Sequence, residues 1–374
     1  MLSKIWLSKP HLTENELDFV KEAFSSNWIT TLGNNINKFE DEVCNYLGVS
    51  NIAVALNSGT SALHLALEDL NIGQNDEVIC STFTFCASAN PIKYQKARPI
   101  FVDCELDTWN MSPYFLEKAI KNRIDKKKIP KAIIVVDSYG MPAKWDEIKE
   151  VSLKYEIPII EDSAAAFGSS YKNINCGLFG DYGVFSFNGN KIITTSSGGI
   201  LLLNNNQNRN ALILKASQSK INNSNYLYNE VGYNYRMSNV LAGIGRAQLK
   251  KIENRIESRR GVNQLYYKEL NSDNIQFLKE PTEDFYSNHW LSCLYMKENK
   301  DNIDDVIKLF EKANIEIRRL WKPLHTESIY KGSLYFGENV STNLYNKGFC
   351  LPSSSNLEIS DQKKIIEIIK KHLT

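Results

Sequence analysis

Five short runs rich in β-branched residues recur along the first half of the chain: Ile52–Leu56, Glu77–Cys80, Pro99–Asp103, Lys131–Asp137 and Pro158–Asp162. Segments with helical spacing of apolar residues lie between them, among them one that opens at Leu63 and one from Lys144 to Tyr155. Parallel strands need a crossover from each to the next, so this alternation predicts βαβ units and a mostly parallel sheet. Ligands of such sheets gather at the carboxyl ends of the strands. Asp103, Asp137, Asp162 and the turn after Leu56 all fall at those ends.

A chain of 374 residues exceeds one typical domain. Ahead of the first strand, Glu14–Phe24 reads as an entry helix, Trp28–Gly33 as a loop and Ile36–Leu47 as a second amphipathic helix. Asn204–Asn210 reads as a surface loop, and Glu230–Asn239 leads into the helix Val240–Leu249 with a charged continuation to about Leu270. Ala242, Gly243 and Gly245 on that helix predict close packing against another element. Beyond Leu270 the pattern changes to short strands, such as His289–Tyr295, and amphipathic helices at Ile303–Ala313 and Ser360–His372. The expected division is a large α/β domain over residues 1–249, including the entry segment, and a smaller α+β domain over residues 250–374.

A formal net charge of +1 gives no electrostatic case for nucleic acid. No apolar run approaches the roughly 18 residues of a membrane span, and the first residues lack the apolar core of a signal peptide. The expectation is a cytoplasmic protein that meets acidic ligands locally. Seven scattered cysteines without a C-x-x-C pair point to free thiols in a reducing compartment rather than to disulfides or a metal centre.

The run Val184–Phe187 breaks into Asn188-Gly-Asn190, presents Lys191, and returns through a polar, glycine-ended segment to Ile200–Leu203. Lys191 is therefore held between two ordered elements, although most lysines are surface groups. The turn Asn57–Ala62 joins a strand to a helix, which makes it either an anion cup at a helix N-terminus or a plain N-cap. Thr82–Phe85 is an aromatic loop able to cover a flat ring. A fixed lysine, a strand-end carboxylate at Asp162, a phosphate cup and a stacking aromatic together match the demands of pyridoxal phosphate. The carboxylate matters because an opposite charge beside the ring nitrogen keeps it protonated.

The segments Glu161–Gly168, Gly177–Gly199 and Gly232–Asn239 resemble the DegT/DnrJ/StrS family of nucleotide-sugar aminotransferases, and the resemblance runs from Trp28–Gly33 to Gly348–Ser353. It implies a fold-type I pyridoxal phosphate enzyme working as a homodimer with shared active sites. Lys191 matches the Schiff-base lysine and Asp162 the partner of the pyridine nitrogen. Gly59, Thr60 and Ser61 match the phosphate turn, Ser186 a serine on the same phosphate, and Phe85 the stacked aromatic. Asn234 and Arg236 match residues that reach the phosphate of the neighbouring subunit. Trp28, Thr30, Asn188 and His325 match the substrate side. Ser186–Thr195 is most similar to enzymes that move an amino group from L-glutamate, leaving 2-oxoglutarate, to C4 of a UDP-2-acetamido-2,6-dideoxy-4-ketohexose, for a bacterial surface glycan or glycoprotein.

Ala165 departs from the pattern: relatives carry Glu, Gln or His there, beside the 3-hydroxyl of the ring. Three other readings remain: a different nucleotide-linked keto sugar (a C3 ketone, or a dTDP or GDP sugar), a dehydratase on the same fold, and a non-catalytic relative that binds the cofactor. Dehydratase relatives carry histidine in place of the lysine, so Lys191 argues against the second. Ala165 alone favours the third.

Overall fold

The computed structural model describes residues 4–222, 227–298 and 302–373. Its main sheet has eight strands: β1 (Ala53–Leu56), β2 (Glu77–Ser81), β3 (Arg98–Val102), β4 (Ala132–Val136), β5 (Ile159–Asp162), β6 (Tyr182–Ser186), β7 (Gly199–Leu203) and β8 (Leu334–Phe336). Their spatial order is β1-β7-β6-β5-β4-β2-β3-β8. From β6 to β8 every adjacent pair is parallel. Strand β7 alone runs against its neighbours. The sheet is thus mostly parallel, as the alternation predicts, and the carboxyl ends of β1, β2, β4, β5 and β6 share one edge.

Helices cover both faces, which is why the strands read as nearly continuous apolar runs. Alternate residues of β4 serve different cores: Ile134 packs with Leu65, Phe101 and Val184, whereas Ile133 and Val135 pack with Ile148 and Trp145. A second core forms around an antiparallel sheet of Ile275–Phe277, Ser292–Met296, Gly348–Leu351 and Arg318–Arg319. Its largest contributors include Tyr266, Phe310 and Phe349. The chain does not divide cleanly between the two bodies. Strand β8 lies in the main sheet although it follows residue 250, and Ile5 pairs with Ile315 and joins the second core.

The helices of the chain include α1 (Glu16–Ser25), α2 (Asn34–Leu47), α3 (Gly59–Asp69), α4 (Asn239–Leu249) and α5 (Ile252–Leu270). The small residues of α4 do permit close approach: a Cβ on Gly245 would come within 2.8 Å of Phe39, and one on Gly243 within 3.2 Å of Phe19. The expected continuation of α4 to Leu270 is instead a separate helix. Lys251 donates its N–H to the Gln248 carbonyl at 3.0 Å, a tight turn that redirects the chain from α1 and α2 toward the second core. The expected loop of 204–210 is shorter, since a helix starts at Arg209. The helix Pro113–Asp125, capped by the Ser112 hydroxyl, escapes the sequence pattern because its buried face is only Leu116, Ala119, Ile120 and the stem of Arg123.

Candidate active site

A cleft of about 410 Å³ opens at the carboxyl edge of the main sheet, closed on one side by the second body. The sequence explains why groups converge there. Strand β5 ends at Asp162, paired in register with Val136 of β4 and Val184 of β6. This fixes the carboxylate at the edge rather than on a mobile loop. One Asp162 oxygen accepts the Ser88 hydroxyl at 2.6 Å and the other the Ala164 N–H at 3.2 Å. Burial raises the Asp162 carboxyl above its ordinary pKa, opposed by Ser88, the Ala164 N–H and Lys191.

Lys191 sits in the loop between β6 and β7. That loop is pinched at its neck, where Phe187 donates to the Gly198 carbonyl and accepts from the Thr195 N–H, both at 2.9 Å. The lysine Nζ lies 4.2 Å from the centre of the Trp290 ring. Burial lowers the Lys191 amine from its ordinary value to about 8, with Asp162 pulling the other way. An amine so placed is available as a nucleophile and proton carrier near neutral pH.

Gly59 and Thr60 open α3 and line the cleft with Ser186. The fit is close: a Cβ on Gly59 would stand 3.1 Å from the Ser186 Cβ. The turn is also an N-cap, with the Ser58 side chain accepting the Ser61 N–H at 3.1 Å. Phe85 lines the cleft with its ring more than half exposed. Asn188 and Ala165 line it too.

Other expected groups lie elsewhere. Ser61 is buried, its hydroxyl spent on Asn57 at 2.6 Å inside the turn. Within one subunit Arg236 lies outside the lining of the cleft. It is buried against Glu40 at 2.7 Å and the Ala55 carbonyl at 3.0 Å, because Glu40, inside the fold, needs Arg209 and Arg236 as counter-charges. Asn234 is exposed, and its carbonyl accepts from the Asn57 side chain at 3.2 Å, bracing the phosphate turn from outside. Trp28 and Thr30 stand apart from the cleft: their carbonyls accept from the Asn239 side chain and N–H, each at 2.8 Å. Gly33 ends that segment at φ 145°, where a Cβ would meet the Asn239 side chain at 2.4 Å. His325 lies outside the cleft lining, bonded to the Thr82 hydroxyl at 2.8 Å and stacked on Tyr335. Asp103 and Asp137, expected among the ligand-facing strand ends, are sealed in. Asp103 accepts the N–H groups of Val340 and Ser341, and Asp137 those of Ala143 and the Trp145 indole.

Sequence reasoning missed two parts of the site. Ser88, which positions Asp162, follows Phe85 by three residues in a tight turn that reads as plain loop. An aromatic wall of Tyr139, Trp290 and Trp321 faces the cleft, with Tyr139 and Trp321 stacked at 4.1 Å and the Tyr139 hydroxyl accepting the Trp321 N–H at 2.7 Å. The left-handed backbone of Tyr139, φ 57°, turns it there, and no local pattern announces this.

A lysine loop and a buried carboxylate at the carboxyl edge of such a sheet, beside an N-terminal helix cup, fit pyridoxal phosphate. The Asp162 carboxylate, held by Ser88 and the Ala164 N–H, suits a protonated ring nitrogen as its counter-charge, and the absence of a side chain at Gly59 leaves the first turn of α3 close to Ser186. The chain belongs to the DegT/DnrJ/EryC1/StrS aminotransferase family, whose sequence profile matches residues 10–370. It is a pyridoxal phosphate-dependent aminotransferase. The chain is 43% identical to EpsN of Bacillus subtilis (strain 168), named for a pyridoxal phosphate-dependent aminotransferase, over 99% of this chain and 96% of that one. It is 36% identical to the GDP-perosamine synthase of Escherichia coli O157:H7, covering 97% of each. A UDP-4-amino-4,6-dideoxy-N-acetyl-beta-L-altrosamine transaminase of Campylobacter jejuni (strain 81-176) is 32% identical over 98% of this chain and 99% of that one. Among solved structures, the PLP-form of the Streptococcus pneumoniae protein Spr1654, titled a sugar aminotransferase, superposes with a TM-score of 0.90 at 27% identity, covering 99% and 100% of the two chains.

Proposed function

We propose that the chain moves an amino group from L-glutamate to the C4 ketone of a UDP-2-acetamido-2,6-dideoxy-4-ketohexose, supplying an amino sugar for a bacterial surface glycan or glycoprotein. The observation that carries this reading is Lys191 set in one cleft with the buried Asp162. Bound pyridoxal phosphate supplies an electron sink for the substrate carbon that gains or loses the amino group. Asp162 holds a proton at the ring nitrogen, and Ser88 holds Asp162. Lys191 Nζ would hold the cofactor and would move the proton to and from the substrate carbon. Gly59, Thr60 and Ser186 would hold the phosphate, Phe85 would pack on the ring, and Asn188 would meet the substrate. The aromatic wall of Tyr139, Trp290 and Trp321 gives the apolar C6 of a 6-deoxy sugar a surface to pack on.

The same proposal includes a cytoplasmic homodimer. Phe24, Trp28, Ile29 and Leu32 are all exposed on one short segment, an apolar surface that a second copy would cover while bringing Trp28 and Thr30 toward its own cleft. The division at residue 249 belongs to it as well, with Ile5 and β8 as crossings between the two bodies.

A GDP-linked keto sugar is the second reading, favoured by the likeness to GDP-perosamine synthase. Incubation with glutamate and either a UDP-linked 4-keto-6-deoxy-N-acetylhexosamine or a GDP-linked 4-keto-6-deoxyhexose, with NMR assignment of the product, separates the two. Amination of the UDP sugar alone is the expected result. Turnover of the GDP sugar alone replaces the substrate, and turnover of neither overturns both readings.

A further inference from the structure

Arg259, on α5, is among the most deeply buried charged side chains of the molecule, 1% exposed. Among the described residues its hydrogen bonds go to a carbonyl and a hydroxyl rather than to a carboxylate, and its Nε has no hydrogen-bond partner. Burial pushes its guanidinium down to about 9, with Arg255 adding to the effect. A cation kept in that condition is costly, so what it touches matters. Its Nη1 donates to the Trp290 carbonyl, and its Nη2 to the Ser8 hydroxyl at 3.0 Å. Both of these residues converge on one atom. The Ser8 hydroxyl donates to the Asn190 carbonyl at 2.7 Å, and the Trp290 indole N–H donates to the same carbonyl at 2.6 Å. Asn190 immediately precedes Lys191, and the Trp290 ring is the surface beneath the Lys191 ammonium.

We propose that Arg259 is a positioning residue for Lys191: through Ser8 and Trp290 it clamps the Asn190 carbonyl and so fixes where the lysine stands. The clamp reaches across three distant parts of the chain, the N-terminal strap, the lysine loop and the second body. The strap is itself fastened to that body, with Leu7 donating to Glu316 at 3.1 Å and accepting from the Ser353 N–H at 2.8 Å. Leu7 lines the cleft as well. Because the clamp ties two donors to one acceptor, loss of either donor leaves the loop hinged on the other.

The proposal rests on Lys191 being the amine that carries the cofactor, and the experiment separates the two claims. In the cofactor-free protein, the pH dependence of Lys191 acetylation by acetic anhydride, followed by mass spectrometry, reads the amine directly. In the holoenzyme, kcat and KM for glutamate are measured. Arg259→Met and Ser8→Ala are each expected to raise the labelling midpoint by about half a unit or more, as the lysine gains access to water. Each is also expected to lower kcat about tenfold with KM changed less than about twofold. Arg259→Lys recovers part of both. A lower melting temperature with unchanged midpoint and kcat would make Arg259 merely structural and overturn the proposal. Ser8→Ala decides the matter if Arg259→Met does not fold. Full activity in Lys191→Ala would instead overturn the role of Lys191 itself.

Discussion

The two walls of the cleft are built differently. The wall formed by the main sheet takes its groups from strand ends and a helix N-terminus: Asp162, Ser186, Gly59 and Thr60 are fixed by strand register and by the first turn of α3. The wall formed by the second body takes its groups from loops and a two-residue strand, with Trp290, Trp321 and Arg318 arriving from segments far apart in the chain. Hydrogen bonding in a sheet permits little adjustment, whereas loop positions tolerate it. Cofactor chemistry can thus stay constant on one wall while specificity changes on the other.

The sharpest attempt to break that contrast is Lys191→Ala, expected to lower transamination on the order of 10^4-fold and to abolish the visible absorbance of the bound cofactor. Asp162→Asn comes next, with a loss of roughly 10^3-fold and cofactor still bound, measured in the glutamate half-reaction.

The same wall makes a stability prediction. Below pH 8 the Lys191 amine is protonated in both the folded and the unfolded chain, and the cost of burying it is full. Between pH 8 and its ordinary value of 10.5 the unfolded chain binds more protons, so stability rises with pH. The cofactor-free Lys191→Met variant is therefore expected to be about 3 kcal/mol more stable than the parent at pH 7, by denaturant unfolding. That gain vanishes toward pH 10.5. Arg236→Met is expected to cost about 3 kcal/mol by the same measurement, through loss of its ion pair with Glu40, while cofactor affinity changes less than about threefold. A large loss of affinity with little loss of stability would restore the cross-subunit role that the resemblance implies.

On the opposite wall effects are smaller and confined to one substrate. Trp321→Ala is expected to raise KM for the sugar nucleotide about tenfold and leave the glutamate half-reaction within about twofold.

This asymmetry also governs what could be read in the sequence. The parallel sheet, the lysine loop, the phosphate turn and Asp162 are each local: a strand, the turn that follows it and the residue at its end lie within a dozen positions. Ser88, Tyr139 and Trp290 depend on pairings far apart in the chain, such as Ser88 with Asp162 and Trp290 with Asn190. Periodicity carries no record of them. Arg236 differs again. Its segment reads correctly, but which way the side chain points is decided by Glu40, almost two hundred residues earlier. The helix break at Lys250 and Lys251 is hidden for a related reason: local propensity favours one long helix, and the need to serve two cores overrides it.

The single reversed strand, β7, has a further consequence. A parallel connection after β6 would carry the chain over a face of the sheet to the opposite edge, whereas reversal brings it back to the edge it left. The lysine loop is consequently a handle with both ends on one rim, and its neck at Phe187, Thr195 and Gly198 isolates it mechanically from the strands. Changes of length or sequence between that neck's two sides re-aim the amine without shifting the register of any strand, so the reactive group can be retuned while the scaffold stays the same.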